Sequence, residues 1–376
     1  MAEIIGRAYE KIELQRYFDS KSSEFVAVYG RRRVGKTFLI REFFRDNFDF
    51  YLTGLANSNM MLQLINFQFS IQKAGLTDAP VAKSWLYAFQ QLTSLLEKST
   101  HQRKVIFLDE LPWMDTAKSD FMAALEHFWN SWASGRTDIL LIVCGSSTSW
   151  MMDKLLNNKG GLHNRITQRL KIQPFSLREC KAYLNSAEIS WEEYQITEGY
   201  MIFGGIPYYW SLLKKGLSLA QNVDALYFRE NGALRDEFKN LYAALFRNSE
   251  KYIRIVEVMS RKNKGLTRGE LVKSGKEKSG GGLSKLLEDL ENCDFIRSYQ
   301  SFGKNSRDRI YQMTDFFTLF YFHFLKGLPA NADNYWSSMT GTSPHKSWSG
   351  YAFEQVCLAH VQQIRHSLGI SGVHCK

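Results

Sequence analysis

Apolar positions along the chain fall into short unbroken runs in the first half and into helical stripes in the last third. "FVAVY" (25–29) reads as a buried strand, and "TFLIREFF" (37–44) opens an amphipathic helix after an eight-residue loop. "VIFL" (105–108) and "DILLIVC" (138–144) are continuous apolar runs of the kind buried on both faces of a parallel sheet. From Lys251 the period becomes helical, with Ile253, Val256 and Met259 three apart, and then Leu283, Leu286, Leu287 and Leu290 on one face. "FIRSYQSFGKNSRDRIYQMTD" (295–315) alternates around a Gly-Lys-Asn-Ser turn and predicts a β-hairpin. Three helices and a hairpin predict a winged helix-turn-helix. An aromatic helix, "DFFTLFYFHFL" (315–325), follows. A linker rich in small residues is expected over 327–350, and then a helix with Phe353, Val356, His360 and Ile364 in step.

The loop after the first strand is "GRRRVGKT", Gly30 to Thr37, which fits G-x-x-x-x-G-K-[ST] between a strand and a helix. The chemistry expected of that spacing is phosphate binding. The backbone amides of Gly30, Arg31, Arg32, Arg33, Val34, Gly35, Lys36, Thr37 and Phe38 would close round an anion at a helix N-terminus. Lys36 would reach the β- and γ-phosphates of ATP or ADP, and Thr37 would ligate Mg²⁺. The apolar run at 105–108 delivers Asp109 and Glu110 at a strand's carboxyl end, where α/β sheets hold their ligands. Asp109 is expected to hold Mg²⁺ through water, and Glu110 to polarise an attacking water. The third run ends in "GSST" (145–148), where Ser146 or Ser147 could sit between the first two loops and orient that water.

Charge adds a possible partner. The 376 residues carry 48 Lys and Arg against 38 Asp and Glu, a formal net charge of +10. The excess is clustered: Ser260 to Leu286 alone carries +6. On a winged helix, Lys276, Lys278, Ser279 and Lys285 would stand at the recognition-helix N-terminus, and Lys304, Arg307 and Arg309 on the wing, facing duplex DNA. The competing reading is a solvated basic face on a spacer module. Five scattered cysteines in no ligand spacing, no secretory h-region and no apolar run near the ~18 residues of a membrane span point to a cytoplasmic protein with reduced thiols.

Several segments together resemble the prokaryotic AAA+/STAND P-loop ATPases related to origin-recognition ATPases. Among these, the chain looks like those with a C-terminal winged helix and a nuclease-like segment, the DUF234 type. "IIGRAYEKIELQRYF" (4–18) resembles their Gly-Arg-Glu box beside the adenine, with Gly6 and Arg7 matching and Ala8 in place of the Glu. "HNRITQRLKIQPF" (163–175) resembles the segment that projects an arginine at a neighbouring subunit's γ-phosphate. Arg165 is the preferred candidate and Arg169 the other. "FGGIPYYW" (203–210) resembles the Gly-x-Pro element of a helical lid, whose proline, here Pro207, packs on the adenine. The last helix resembles the opening helix of a PD-(D/E)xK nuclease, with Glu354 in the acidic position. No Asp and Glu-x-Lys follow, so no nuclease activity is expected.

The resemblance implies an α/β P-loop domain with a parallel sheet over 1–175 and a helical lid over 176–245. A winged helix would occupy 246–326, with a linker and the start of a truncated nuclease-like domain over 327–376. The expected function is an ATP-hydrolysing switch that couples nucleotide state to DNA or to another partner, working as a homo-oligomer or with a protein partner. The alternatives are a slow-hydrolysing signalling scaffold and a DNA-binding regulator.

Overall fold

The computed structural model describes residues 3–157, 160–162, 164–246, 248–274, 280–300, 309–328 and 332–373. These form two compact units, Met1–Gln173 and Pro174–Lys376. In the first, β1 (Glu24–Tyr29), β2 (Phe50–Thr53), β3 (Lys104–Asp109), β4 (Ile139–Cys144) and β5 (Gln168–Lys171) make one sheet in the order β2-β3-β4-β1-β5. All four pairings are parallel. The three apolar runs are β1, β3 and β4, the three central strands, buried on both faces as their composition demands. Phe25 and Ala27 of β1 pack with the helices Met60–Lys73, Trp85–Lys98 and Phe121–Ser131, while Val26 and Val28, alternate along the strand, are buried on the opposite face.

The register decides where the chemistry sits. β1 pairs with β4 from Glu24 with Leu140 to Val28 with Cys144, and β3 with β4 from Lys104 with Ile139 to Leu108 with Val143. The carboxyl ends of β1, β4 and β3 therefore lie side by side, with β4 in the middle. The loops after β1 and β3, about seventy residues apart in sequence, thus flank the end of β4, at the usual ligand edge of such sheets.

The second unit is mostly helical. The helix Leu177–Ser186 opens on a capping box in which the Ser176 side chain accepts from the Glu179 amide and the Glu179 carboxylate from the Ser176 amide. After Glu193–Phe203, the chain turns at Gly204 and Gly205 into Pro207–Trp210. A side chain at Gly205 would lie 1.9 Å from the Phe175 carbonyl oxygen, so this turn has room for glycine only. The winged helix follows: helices Ser249–Ser260, Arg268–Lys273 and Gly281–Asn292, with β6 (Leu266–Thr267), β7 (Ile296–Tyr299) and β8 (Ile310–Met313) in an antiparallel sheet of order β6-β8-β7. Leu283, Leu286, Leu287 and Leu290 are its buried helix face, as their spacing predicts.

The stretch expected to be a linker contains structure. Tyr335–Met339 and Ser343–Ala359 are helices, and Trp336 and Trp348 are buried beside Phe320 and Phe324 with ring centroids 5.0–5.8 Å apart. Small residues hid the signal; two tryptophans supply enough apolar surface to order the segment around them. The face of the last long helix also differs from expectation. Phe353 is 51% exposed, whereas His345, Trp348, Ala352, Gln355 and Val356 point inward, because the helix starts at Ser343 and takes its phase from Trp348. It breaks at His360, so Ile364 belongs to a separate helix, Val361–Ser367.

Candidate nucleotide site

Gly30 leaves β1 at φ 142°, and a side chain there would lie 2.3 Å from the carbonyl oxygen of Ile172. The loop can hug the end of β5 only because position 30 has no Cβ. Arg33 and Gly35 take left-handed conformations (φ 70° and 85°), and Gly35 caps the helix Lys36–Phe43. Lys36, 6% exposed, turns its ammonium back into the loop, donating to the carbonyls of Gly30 and Arg31 at 2.9 Å each. Burial pushes its pKa down, opposed by the nearby Cys144, Glu110 and Asp109. Arg31 and Val34 are buried, Arg32 and Arg33 half-buried, and Phe38 exposed.

Asp109 ends β3, 3% exposed, and accepts a 2.9 Å hydrogen bond at Oδ2 from the Thr37 hydroxyl. Its Oδ1 accepts from the Glu110 amide at 3.0 Å. Burial, and then the adjacent Glu110 carboxylate, push the Asp109 pKa up, against the pull of Thr37. The buried Cys144 thiol, at the end of β4, lies against this carboxylate and is itself pushed up by burial. Cys144 had no motif to mark it; the parallel register alone brings it to Asp109. The cysteines described, Cys144, Cys180, Cys293 and Cys357, are not in disulfides.

Glu110 adopts φ 49°, ψ 48°, an unfavourable region for a residue with a Cβ, and begins the short helix Leu111–Met114. Two close approaches hold it there. A side chain at Gly54 would lie 2.7 Å from the Glu110 carbonyl, and one at Gly145 would lie 2.7 Å from the Pro112 ring. Ser146 then meets Glu110: its hydroxyl donates to Glu110 Oε2 at 2.8 Å and its amide to the same oxygen at 3.2 Å. Of the two serines that the sequence offers, Ser146 makes this contact, and Ser147 is the residue before the helix Thr148–Trp150.

Arg7 has a location that the sequence did not disclose. It is 5% exposed and left-handed (φ 55°). Its guanidinium donates to the carbonyl of Val34 in the phosphate loop at 3.0 Å, to that of Gln173 at 2.6 Å and to Glu10 at 3.3 Å. Arg165 is exposed, in the turn before β5, and Arg169 within β5 donates to the Leu156 carbonyl at 2.9 Å. Pro207 is the first residue of its helix and half-buried in the second unit.

On the winged helix, Lys276, Lys278, Ser279, Lys304 and Arg307 lie outside the described residues. Half of the described part of the cluster is compensated. Arg261 pairs with Glu257 at 2.6 Å, Lys262 with Glu270, and Lys285 with Asp289 at 3.1 Å. Arg268 ties the second helix to the third through Ser284 Oγ at 2.6 Å and the Gly280 carbonyl at 2.7 Å. Glu257 and Asp289 lie just beyond the stretch whose charge was counted, which is why the count overstated the field. Arg309 and Glu354 are exposed.

A glycine-framed loop at a helix N-terminus, a buried lysine, and a hydroxyl, carboxylate and glutamate at neighbouring strand ends mark a P-loop ATPase domain with an AAA+-like fold. Residues 5–213 match the model of the ATPase_2 family, an ATPase domain predominantly from Archaea, and the chain belongs to that family. An uncharacterized protein of Methanocaldococcus jannaschii is 27% identical over 355 residues, spanning 94% of this chain and 76% of that one. The fold is similar to that of a Walker-type ATPase of Pyrococcus abyssi (TM-score 0.58, 19% identity, 85% of this chain and 96% of that chain). It is also similar to that of the Aeropyrum pernix ORC2 protein in its ADPNP–ADP complexes (TM-score 0.53, 14% identity, 96% of each chain). Among the described residues, no helix is long and apolar enough to cross a membrane.

Proposed function

We propose that the chain is an ATP-hydrolysing switch whose winged helix couples nucleotide state to duplex DNA or to a protein partner. The observation that carries this reading is the meeting of Lys36, Thr37, Asp109, Glu110 and Ser146 at three adjacent strand ends. Lys36 faces the β- and γ-phosphates once its loop carbonyls are exchanged for phosphate oxygens. Glu110 accepts a proton from the water that attacks the γ-phosphorus, and Ser146 orients that carboxylate; ADP and phosphate leave. Thr37 and Asp109, hard oxygens 2.9 Å apart, are the residues that would hold Mg²⁺, Asp109 through water. The chemistry that the ion would supply is neutralisation of negative charge on the phosphate oxygens. Among the described residues, no cluster of three or more His, Cys, Asp or Glu able to hold a metal occurs. Arg7 supports the loop through its hydrogen bond to the Val34 carbonyl, and Pro207 is the proline of the Gly-x-Pro element in the second unit.

Arg165 acts in trans. Gln168 is level with Val26 near the start of β1, so Arg165 stands roughly 20 Å, a strand length, from its own phosphate loop. A neighbouring subunit's nucleotide is the target left to it. ATPase rate per subunit is expected to rise with protein concentration, and Arg165→Ala to abolish the rise with ATP binding intact. A flat rate through a demonstrated monomer–oligomer transition overturns the assignment.

Steady-state ATPase with and without duplex DNA tests the coupling. Stimulation should come with binding whose log–log salt slope is about −0.9 per phosphate contact, and Lys276, Lys278 and Lys285 to Ala should reduce that slope by up to about three. The ion pairs of Arg261, Lys262 and Lys285 favour a second reading, a nucleotide-gated signalling scaffold whose winged helix docks protein. Absence of salt-dependent DNA binding selects it.

A further inference from the structure

Within the second unit a cavity of about 420 Å³ opens between four helical segments. Met201 comes from Glu193–Phe203 and Ser260 from the first helix of the winged module. Phe316, Leu319 and Phe322 come from the aromatic segment, and Trp348, Tyr351 and Ala352 from Ser343–Ala359. The floor is apolar and buried: Met201, Phe316, Trp348 and Ala352 are each 7% exposed or less. The rim is polar, with Arg261, Asn263, His323 and Ser347. The volume falls in the range of small-molecule sites, and the division into apolar floor and few polar groups is that of a ligand pocket.

Two side chains say what would fit. His323 makes no hydrogen bond among the described residues, and burial holds its pKa below the usual imidazole range, so it stands as a neutral donor or acceptor at the mouth. Arg261 spends one guanidinium nitrogen on Glu257, but that carboxylate also pairs with Lys326 at 2.7 Å, so two cations share one anion and the rim keeps net positive charge. Tyr351, by contrast, is engaged, donating to the Asn263 carbonyl at 3.2 Å.

We propose that this cavity, remote in sequence from the phosphate loop, is an effector site for a flat aromatic acid of one or two fused rings. The ring lies among Phe316, Phe322, Trp348 and Tyr351, and the carboxylate or sulfonate faces Arg261 and His323. Its occupant would touch the lid helix, the winged helix and the C-terminal helix at once, and so tie all three together.

The probe is 2-naphthoate, titrated by calorimetry with saturating ADP present. Saturable binding that ADP does not displace is expected, with neutral 2-naphthylmethanol at least about ten-fold weaker, the scale of one charge-assisted contact. Arg261→Gln should erase the preference for the acid while leaving the alcohol's affinity unchanged. Ala352→Leu, which fills the floor, should abolish binding of both, with circular dichroism confirming the fold. Should the Leu variant fail to fold, Arg261→Gln, a rim change, still decides. Absence of saturable binding, displacement by ADP, or an unchanged acid preference in Arg261→Gln overturns the proposal.

Discussion

Lys36→Ala abolishes phosphate-dependent nucleotide binding. The lysine is 6% exposed, and its ammonium already occupies the loop, satisfied by the carbonyls of Gly30 and Arg31. Alanine removes the cation that these two hydrogen bonds hold inside the loop. It also leaves two carbonyl oxygens turned towards the position of the phosphates, where they repel an anion. A charge-assisted contact in a buried site contributes about 1.5–3 kcal/mol, and the reversed local field adds to the loss. Affinity for ATP should fall by roughly two orders of magnitude or more, measured by calorimetry with a fluorescent ATP analogue as a second probe. Adenosine, which lacks phosphates, serves as the control and should bind no differently. Unchanged ATP affinity would remove the loop from the site.

Glu110→Gln is the second large effect, and it should separate binding from chemistry. Glutamine keeps the shape and can still accept from the Ser146 hydroxyl, so the left-handed turn and the close approaches of Gly54 and Gly145 survive. It cannot take a proton from water. Turnover should fall by about 10² or more, the scale of general-base loss, while ATP affinity stays within a few-fold of the parent. A single-turnover measurement checks it: bound ATP should persist in the variant and be converted in the parent. Equal rates would assign the proton to another group.

The parts of this site that could be read from sequence are those written in continuous runs. Val26–Tyr29, Val105–Leu108 and Ile139–Cys144 announce strands because a strand buried on both faces has no polar positions, and each carries its candidate site residues directly at its end. That the third end could sit between the other two was an expectation, and the strand order β2-β3-β4-β1-β5 is what puts it there. Arg7 was different. Its partners are backbone carbonyls 27 and 166 residues away, and a carbonyl has no residue type to recognise. The same holds for Cys144 beside Asp109, which exists only through strand register. In the last third, small residues and a proline disguised a helical segment that two tryptophans organise. The +6 window missed its own counter-ions because Glu257 and Asp289 lie a few residues outside it. The helices Met60–Lys73 and Trp85–Lys98, inserted between β2 and β3, carry no chemical motif and emerged only with the fold.

The Arg7 guanidinium acts as a tie bar across three chain segments: its own, at 6–10, the phosphate loop at Val34, and the exit of the first unit at Gln173. None of the three can swing away without stranding a buried donor, at about 1–3 kcal/mol for each hydrogen bond broken. The loop is also wedged against Ile172, one residue before that exit, with no side chain at Gly30 to cushion it. Elasticity is therefore distributed unevenly in this unit. The loop at 30–37 and the point where the chain departs from the unit share one stiff joint, so strain at either is passed to the other with little slack.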